Sequence, residues 1–405
     1  MNHDHCHSCD FSRRKFIQTS AAGLAVAGLS PMTLAETPES PYKLPMRRYG
    51  MTGLKISSII GASNMTPALI PLAVKSGVNY WHKGDKWTME TLPTAIKRQP
   101  RESYYLEIIV PRVKGNHRTG VIEEEAHYQY VKDSLKKSGF GYYDVFKHYF
   151  GYHSVKEAKT NLGMIRAFER LKKEGLVKHL VLSQHHYNDI GGDKAYEILD
   201  YLMDNSPYEG TQLFFSYGAP KEMEDIVKLA RKKDFGTIAM KTMKGVGRAI
   251  GDDNLKAILR DPRYKGSKPG AATVKWLMTN PNLDAAVIAM GSFQEMEENF
   301  GAAVNANLAT HDQRVLDQLA AYNNGLTCML CAECVSKCSE SISIDDIFRY
   351  ERYAMDYHDI KRAQRAYRSL SKNGTACIEC GDCLPVCGSN INIVEKLRDV
   401  HSMLG

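Results

Sequence analysis

Between residues 49 and 307 the chain alternates short apolar runs with longer stretches whose apolar positions recur at helical spacing, and eight such pairs can be counted. The apolar runs predict strands at 56–60, 79–81, 105–110, 144–149, 179–182, 213–215, 236–240 and 286–289. The intervening stretches predict helices at 67–76, 91–98, 122–138, 156–174, 193–205, 221–233, 270–279 and 294–307. Eight βα units in roughly 260 residues fit a (β/α)8 TIM barrel, whose site would lie at the C-terminal ends of the strands. A doubly wound open sheet is the alternative, and it suits this count less well. Beyond residue 310 the pattern turns mostly helical, with helices predicted at 345–370 and 393–404. The expected organisation is therefore a barrel over 47–310 followed by a small, mostly helical domain over 311–405.

Cysteine usage changes the picture of that second domain. Eight of the ten cysteines form two copies of Cys-x2-Cys-x2-Cys-x3-Cys: Cys328, Cys331, Cys334 and Cys338, then Cys377, Cys380, Cys383 and Cys387. This is the spacing of bacterial two-cluster ferredoxins and predicts two 4Fe-4S clusters. A tight triplet lets one loop offer three thiolates to three irons, and the fourth cysteine ligates the partner cluster. The expected ligand sets are Cys328, Cys331, Cys334 with Cys387, and Cys377, Cys380, Cys383 with Cys338. A zinc ribbon would want two Cys-x2-Cys pairs, and a disulfide framework is the other alternative. Ser339 and Gly388 stand where such ferredoxins usually have proline. The 38 residues between Cys338 and Cys377 exceed a compact ferredoxin. The tail looks more like the helical ferredoxin module of respiratory dehydrogenase subunits.

At the other end, Ser12-Arg13-Arg14-Lys15-Phe16-Ile17-Gln18 leads into a weakly apolar run to Leu29, then to Thr33-Leu34-Ala35, a small-residue cleavage site. This resembles a twin-arginine signal peptide over 1–35, with 36–46 as a linker. The run is about half a membrane span, so no permanent span is expected. A basic patch ahead of an amphipathic helix is the alternative. Export by the twin-arginine machinery, which carries folded proteins, to the periplasm or an equivalent compartment agrees with clusters assembled before export. Cys6 and Cys9, among His3, His5 and His7, could bind metal, but cleavage would discard them.

Composition is ordinary, 43% apolar and 24% charged, enough to bury a barrel-sized core. Loss of 1–35 would move the formal charge from +7 to +6, since Arg13, Arg14 and Lys15 leave with Asp4 and Asp10. Two clusters with eight thiolates would add about −4. So small a charge, without a basic stripe carrying aromatics, gives no reason to expect nucleic acid.

Several barrel stretches carry a family resemblance: Arg48-Tyr49-Gly50-Met51-Thr52-Gly53-Leu54-Lys55-Ile56-Ser57, Gly77-Val78-Asn79-Tyr80-Trp81, Ala239-Met240-Lys241 and Met290-Gly291-Ser292. Their order and spacing resemble the aldo/keto reductase superfamily, and with the tail its iron-sulfur branch. That resemblance implies an NADPH-dependent carbonyl reductase with an Asp, Tyr, Lys and His tetrad, in which tyrosine gives the proton and lysine lowers its pKa. This sequence departs at all four positions. His82 stands for the aspartate and Trp87 for the tyrosine, and an indole N–H is no acid at neutral pH. Arg112 stands for the lysine, and Tyr149 for the histidine with His148 one residue earlier. A one-residue slip to His148 would turn the wrong face inward. The usual reduction should be absent or very slow.

The polar groups His82, Arg112 and Tyr149, with His185 or His186, then form either a rebuilt site or mere filling of the mouth. For the nucleotide, the resemblance assigns Ser183 and Gln212 to the nicotinamide carboxamide, with Gln184 replacing asparagine. It assigns Gly291, Ser292, Glu298 and Asn299 to phosphate and adenine. A helix start there suits an anion in any case. The leading expectation is an exported oxidoreductase moving electrons through two 4Fe-4S clusters to or from a small-molecule substrate or a redox protein. A non-catalytic electron-transfer subunit with the barrel as docking scaffold, and an NADP-dependent enzyme with tightly bound NADP(H), are the alternatives.

Overall fold

The computed structural model describes residues 40–62, 65–82, 91–96, 98–115, 120–185 and 193–405. The leader with its cysteines and histidines, Trp87 and His186 lie outside them. Among the described residues there are ten strands: β1 Met46–Arg48, β2 Lys55–Ser57, β3 Ile59–Ile60, β4 Tyr80–His82, β5 Tyr105–Val110, β6 Val145–His148, β7 His179–Gln184, β8 Gly210–Phe214, β9 Gly236–Met240 and β10 Ala285–Val287. β3 to β10 form one parallel sheet in the order β3-β10-β9-β8-β7-β6-β5-β4. Gly61 bridges Trp81, with its N–H donating to the Tyr80 carbonyl at 2.8 Å, so the first and last strands meet and the sheet closes on itself. Strands such as β8 and β9 are buried throughout, as parallel strands covered on both faces must be, so their apolar residues fall in unbroken runs at 213–215 and 238–240 and do not alternate with polar ones.

Helices α1 Ile70–Lys75, α2 Leu92–Ile96, α3 Glu124–Ser138, α4 Val155–Thr160, α5 Gly163–Lys173, α6 Ala195–Asn205, α7 Lys221–Lys232, α8 Val246–Gly251, α9 Asp253–Leu259, α10 Pro269–Thr279 and α11 Phe293–Val304 lie among the strands. α7 shows why they pack: Met223, Ile226, Val227 and Ala230 fall on one face and are all buried. β1 and β2 form an antiparallel hairpin under the barrel. Arg47 pins it by donating to the Leu283 carbonyl at 2.7 Å. The hairpin inserts Tyr49 into the barrel floor. A Cβ on Gly236 would come within 2.6 Å of that ring, so the approach requires glycine.

Three expected elements are broken. The single strand at 56–60 divides at Ser58 into a hairpin strand and a barrel strand. The helix at 156–174 divides into α4 and α5 at Asn161, where the backbone leaves helical values. The helix at 345–370 divides into α13 Ile344–Met355 and α14 Ile360–Arg368, which follow α12 Thr310–Asn323. His358 takes φ 54°, and the Asp359 carboxylate then caps α14 by accepting the Arg362 N–H at 3.1 Å. α15 Ile393–Leu404 ends the chain, as expected.

α13 is unusual because residues 344–352 are buried on every side, although they include Asp345, Asp346, Arg349, Glu351 and Arg352. An all-round buried helix is normally apolar. This one lies across the C-terminal end of the barrel, packed behind by α14 and α15. Arg349 sits 5.2 Å over the Phe150 ring after β6. Glu351 accepts from Arg248 of α8 at 2.9 Å. Among the described residues no helix is long and apolar enough to cross a membrane.

Candidate functional site

Inside the barrel, one layer below its mouth, four strands place polar side chains at a common level. His82 on β4 is in register with Glu107 on β5, and Lys147 and Gln212 come from β6 and β8. Lys147 Nζ lies 2.5 Å from Glu107 Oε1 and also donates to Gln212 Oε1. His82 Nδ1 is 3.3 Å from Lys147 Nζ and 3.4 Å from both Glu107 Oε1 and Gln212 Nε2. The Tyr80 hydroxyl donates to Glu107 Oε2 at 2.7 Å. Burial acts to raise the Glu107 pKa, but Lys147 and His82 overcome it and hold the carboxyl at about 2. Burial pulls the Lys147 ammonium down, and Glu107 opposes that pull.

Glu107 and Lys147 went unassigned in the sequence because each sits within an apolar run. The signal was their phase, two residues above the inward-facing Tyr105 and Val145. That phase also settles His148. It points to the helix side, 2.9 Å from the Tyr208 hydroxyl and edge-on to Tyr152 at 4.8 Å. Burial first, then Arg112, pushes its pKa well below the usual histidine value.

Arg112 is committed to holding loops together. Its guanidinium donates to both Glu157 carboxylate oxygens, at 2.8 and 3.1 Å, and to the carbonyls of Gly151 and Gly120, at 2.9 and 3.3 Å. Tyr149 is half-buried at the mouth, edge-on to Phe150 at 4.6 Å and to His185 at 5.0 Å. Phe150 and His185 stack at 3.9 Å. Burial, reinforced by Tyr353, raises the Tyr149 phenol pKa against the lowering effect of Arg349 and Arg362, so the group stays protonated. Ser183 lies 2.8 Å from His185 Nε2.

Lys241, one residue beyond β9, has its terminal nitrogen fully shielded, with no hydrogen-bond partner among the described residues. Burial, then Arg349 and Arg352, drives its pKa well below the usual lysine value, with Asp346 and Asp345 opposing.

The residues assigned to phosphate and adenine already serve the protein itself. Ser292 caps α11 by accepting the Glu295 N–H at 3.2 Å. Glu295 Oε2 in return takes the N–H groups of Gly291 at 2.5 Å and Ser292 at 3.3 Å, a capping box. Glu298 pairs with Lys268 and accepts from Gln294 at 3.0 Å, and Asn299 is buried. The anion-binding amides of this helix start thus face a carboxylate of the chain.

The two cysteine loops share one backbone. Leu330 and Ala332 in the first take φ 58° and 61°, and Glu379 and Gly381, at the matching places in the second, take 59° and 82°. After the fourth cysteine, Ser341 and Asn390 match at 54° and 53°. Their N–H groups donate to the carbonyls of Cys338 and Cys387, each at 2.9 Å. Non-glycine residues avoid this left-handed region unless the surroundings require it. None of the eight cysteines of these loops forms a disulfide. Cys338, Cys377, Cys380 and Cys383 line one small cavity of about 20 Å³, partly open to solvent, whose walls also include Ile342, Ile344 and Leu397 with Ser339 and Glu340.

Cys328, Cys331 and Cys334 form the other triplet, with Cys387 an electrostatic neighbour of Cys331 and Cys334. Burial pushes the Cys328 thiol up to about 12 and raises Cys331, Cys334 and Cys383 as well. No three His, Cys, Asp or Glu side chains among the described residues close round a single point as one metal ion would require. Cys338 grouped with Cys377, Cys380 and Cys383 is, by its chemistry, a donor set of the kind a 4Fe-4S cluster takes. Lys244, from the loop after β9, donates to Met329 Sδ, which brings the first cysteine loop against the barrel mouth.

Comparison with known proteins agrees with this architecture. Residues 65–321, more than half of the chain, match the sequence model of the aldo/keto reductase family, and the chain belongs to that family. L-galactose dehydrogenase of Arabidopsis thaliana is 21% identical over 315 residues, covering 69% of this chain and 94% of that protein. Two solved structures of a Pseudomonas aeruginosa protein described as an aldo-keto reductase are each 16% identical, with TM-scores of 0.50. They cover 66% of this chain and 97% and 98% of theirs, and show a shared fold. The family match ends before Cys328, so both cysteine loops lie beyond it.

Proposed function

We propose that this chain is an exported iron-sulfur oxidoreductase of the aldo/keto reductase family that moves single electrons between a redox partner and a group bound at the covered barrel mouth. The observation that carries the reading is the cavity shared by Cys338 and the triplet Cys377, Cys380 and Cys383. Those four thiols would hold one 4Fe-4S cluster, and Cys328, Cys331, Cys334 and Cys387 the other. A bound cluster supplies reversible one-electron chemistry. The thiols, protonated when buried alone, give up their protons on ligating iron. At the mouth, Tyr149 holds a proton on its phenol, and the Lys147–Glu107 pair fixes His82 and Gln212 in place. Two successive electrons and protons held at these groups would complete a reduction without the family's hydride step. The twin-arginine leader supports export of a folded, loaded chain.

The scaffold alternative draws support from α13, which covers the mouth with charged, buried residues. The nucleotide alternative is weaker, because Glu295 occupies the amides that a phosphate would need.

Iron and acid-labile sulfide in the anaerobically purified protein should come to roughly eight of each per chain. Cys338→Ala and Cys380→Ala should damage the same EPR-visible centre, and Cys387→Ala the other. Full iron and sulfide in Cys338→Ala would sink the ligand assignment. An anaerobic NADPH titration should leave a dithionite-reducible sample unreduced; stoichiometric binding with reduction would restore the nucleotide reading.

A further inference from the structure

The two cysteine loops have the same backbone but opposite surroundings. In the first, Leu330, Ala332 and Val335 are buried, and the barrel side holds the loop through Arg248, which donates to the Leu326 carbonyl at 3.4 Å, and Lys244, which donates to Met329, while Lys396 of α15 donates to the same Leu326 carbonyl at 2.7 Å. In the second, the matching Glu379 and Leu384 are exposed, and so is the Cys380 thiol. Ile378 is 62% exposed, the most of any large apolar side chain described. Ile378 lines the four-thiol cavity, Leu384 is exposed in the same loop, and the exposed Glu379 and Asp382 lie within two residues of Cys380 along the chain. Of the nearby cations, Arg398 lies 3.6 Å from Glu379, and Lys372 is occupied by the Glu340 carbonyl at 2.7 Å.

We propose that the face around Cys380 is the electron port of the molecule, and that it docks a single-electron carrier protein whose redox group is rimmed by cations. Resting on the cluster reading above, this assigns a direction: the second loop faces the partner, and the first faces the barrel mouth. Apolar side chains at the centre of a small contact with charges at its edge are the anatomy of a transient redox interface. The exposed carboxylates Glu379 and Asp382 make the loop around Cys380 locally anionic, which suits a cationic partner. Each encounter moves one electron, with no proton exchanged: the reduced protein loses one, and the carrier's metal gains it.

The test uses cytochrome c, a lysine-rimmed one-electron acceptor, as the probe. The full protein is reduced with dithionite, freed of excess reductant and mixed with ferric cytochrome c in a stopped-flow instrument. The parent should react in a salt-sensitive step. Glu379→Lys/Asp382→Lys should react roughly tenfold more slowly at low salt, with the difference closing at high salt, where exposed charges are screened. The same variant should react faster than the parent with anionic hexacyanoferrate(III). Glu222→Lys/Glu224→Lys, an equal charge change on the barrel's outer wall, should leave both rates unchanged. Iron and sulfide are measured on every sample. Full cluster content with no change of rate in the double variant overturns the port alone. A parent without iron and sulfide overturns the cluster reading and the port with it.

Discussion

Tyr49 and Tyr80 lie edge to face inside the barrel with ring centroids 6.0 Å apart, both fully buried, yet their hydroxyls meet opposite fates. Tyr80 donates to Glu107, whereas the Tyr49 hydroxyl finds no partner among the described residues. The contrast marks a boundary between two layers. Tyr49, Ile56, Ile60, Val145, Val181 and Ile238 fill the floor with apolar volume. Two residues further along the same strands the floor gives way to His82, Glu107, Lys147 and Ser183. An apolar layer needs only to fill its space. A charged layer must supply a partner for every group, because each one left alone carries its full desolvation cost.

Breaking the upper layer should have the largest effect. Lys147→Ala strands Glu107 in the core, and a loss of about 3–5 kcal/mol is expected in urea unfolding. Glu107 also gives the layer a pH signature. Its folded pKa of about 2 lies below the ordinary 4.5, so its contribution is complete above pH 4.5 and disappears as pH falls towards 2. Glu107→Gln should flatten the acid-unfolding curve across that window, and a variant that keeps the parent's slope would show that the pair is not ionised.

Next comes Tyr80→Phe, which removes a hydrogen bond to a buried carboxylate and should cost about 2 kcal/mol. The smallest change belongs to the floor: Tyr49→Phe deletes a partnerless hydroxyl and should shift stability by no more than about 0.5 kcal/mol. Equal losses at the two tyrosines would erase the distinction between the layers.

Much of the barrel could be read from the sequence because parallel strands buried on both faces leave apolar runs that helices then separate. The breaks were harder to see. Asp359 acts as a cap in the middle of a helical pattern, and only the left-handed His358 before it shows that the chain has turned. Of the residues expected at the mouth, His82, Tyr149 and His185 are near it, while Arg112 is engaged by Glu157 and the carbonyls of Gly120 and Gly151; His148 faces outward, as the alternation of the strand implied. Glu107 and Lys147 were hidden by their apolar neighbours, since a hydropathy run does not tell which of two faces a residue occupies. The position of α13 depends on contacts between residues 100 and more positions apart, such as Arg248 with Glu351, and no local pattern encodes those.

α13 starts six residues after Cys338, and α14 leads back within ten residues to Cys377. The helix over the barrel is therefore slung like a hammock between the two cysteine loops. Its position is set by its anchor points as much as by what lies beneath it, and slackening either loop would lift the cover from the barrel.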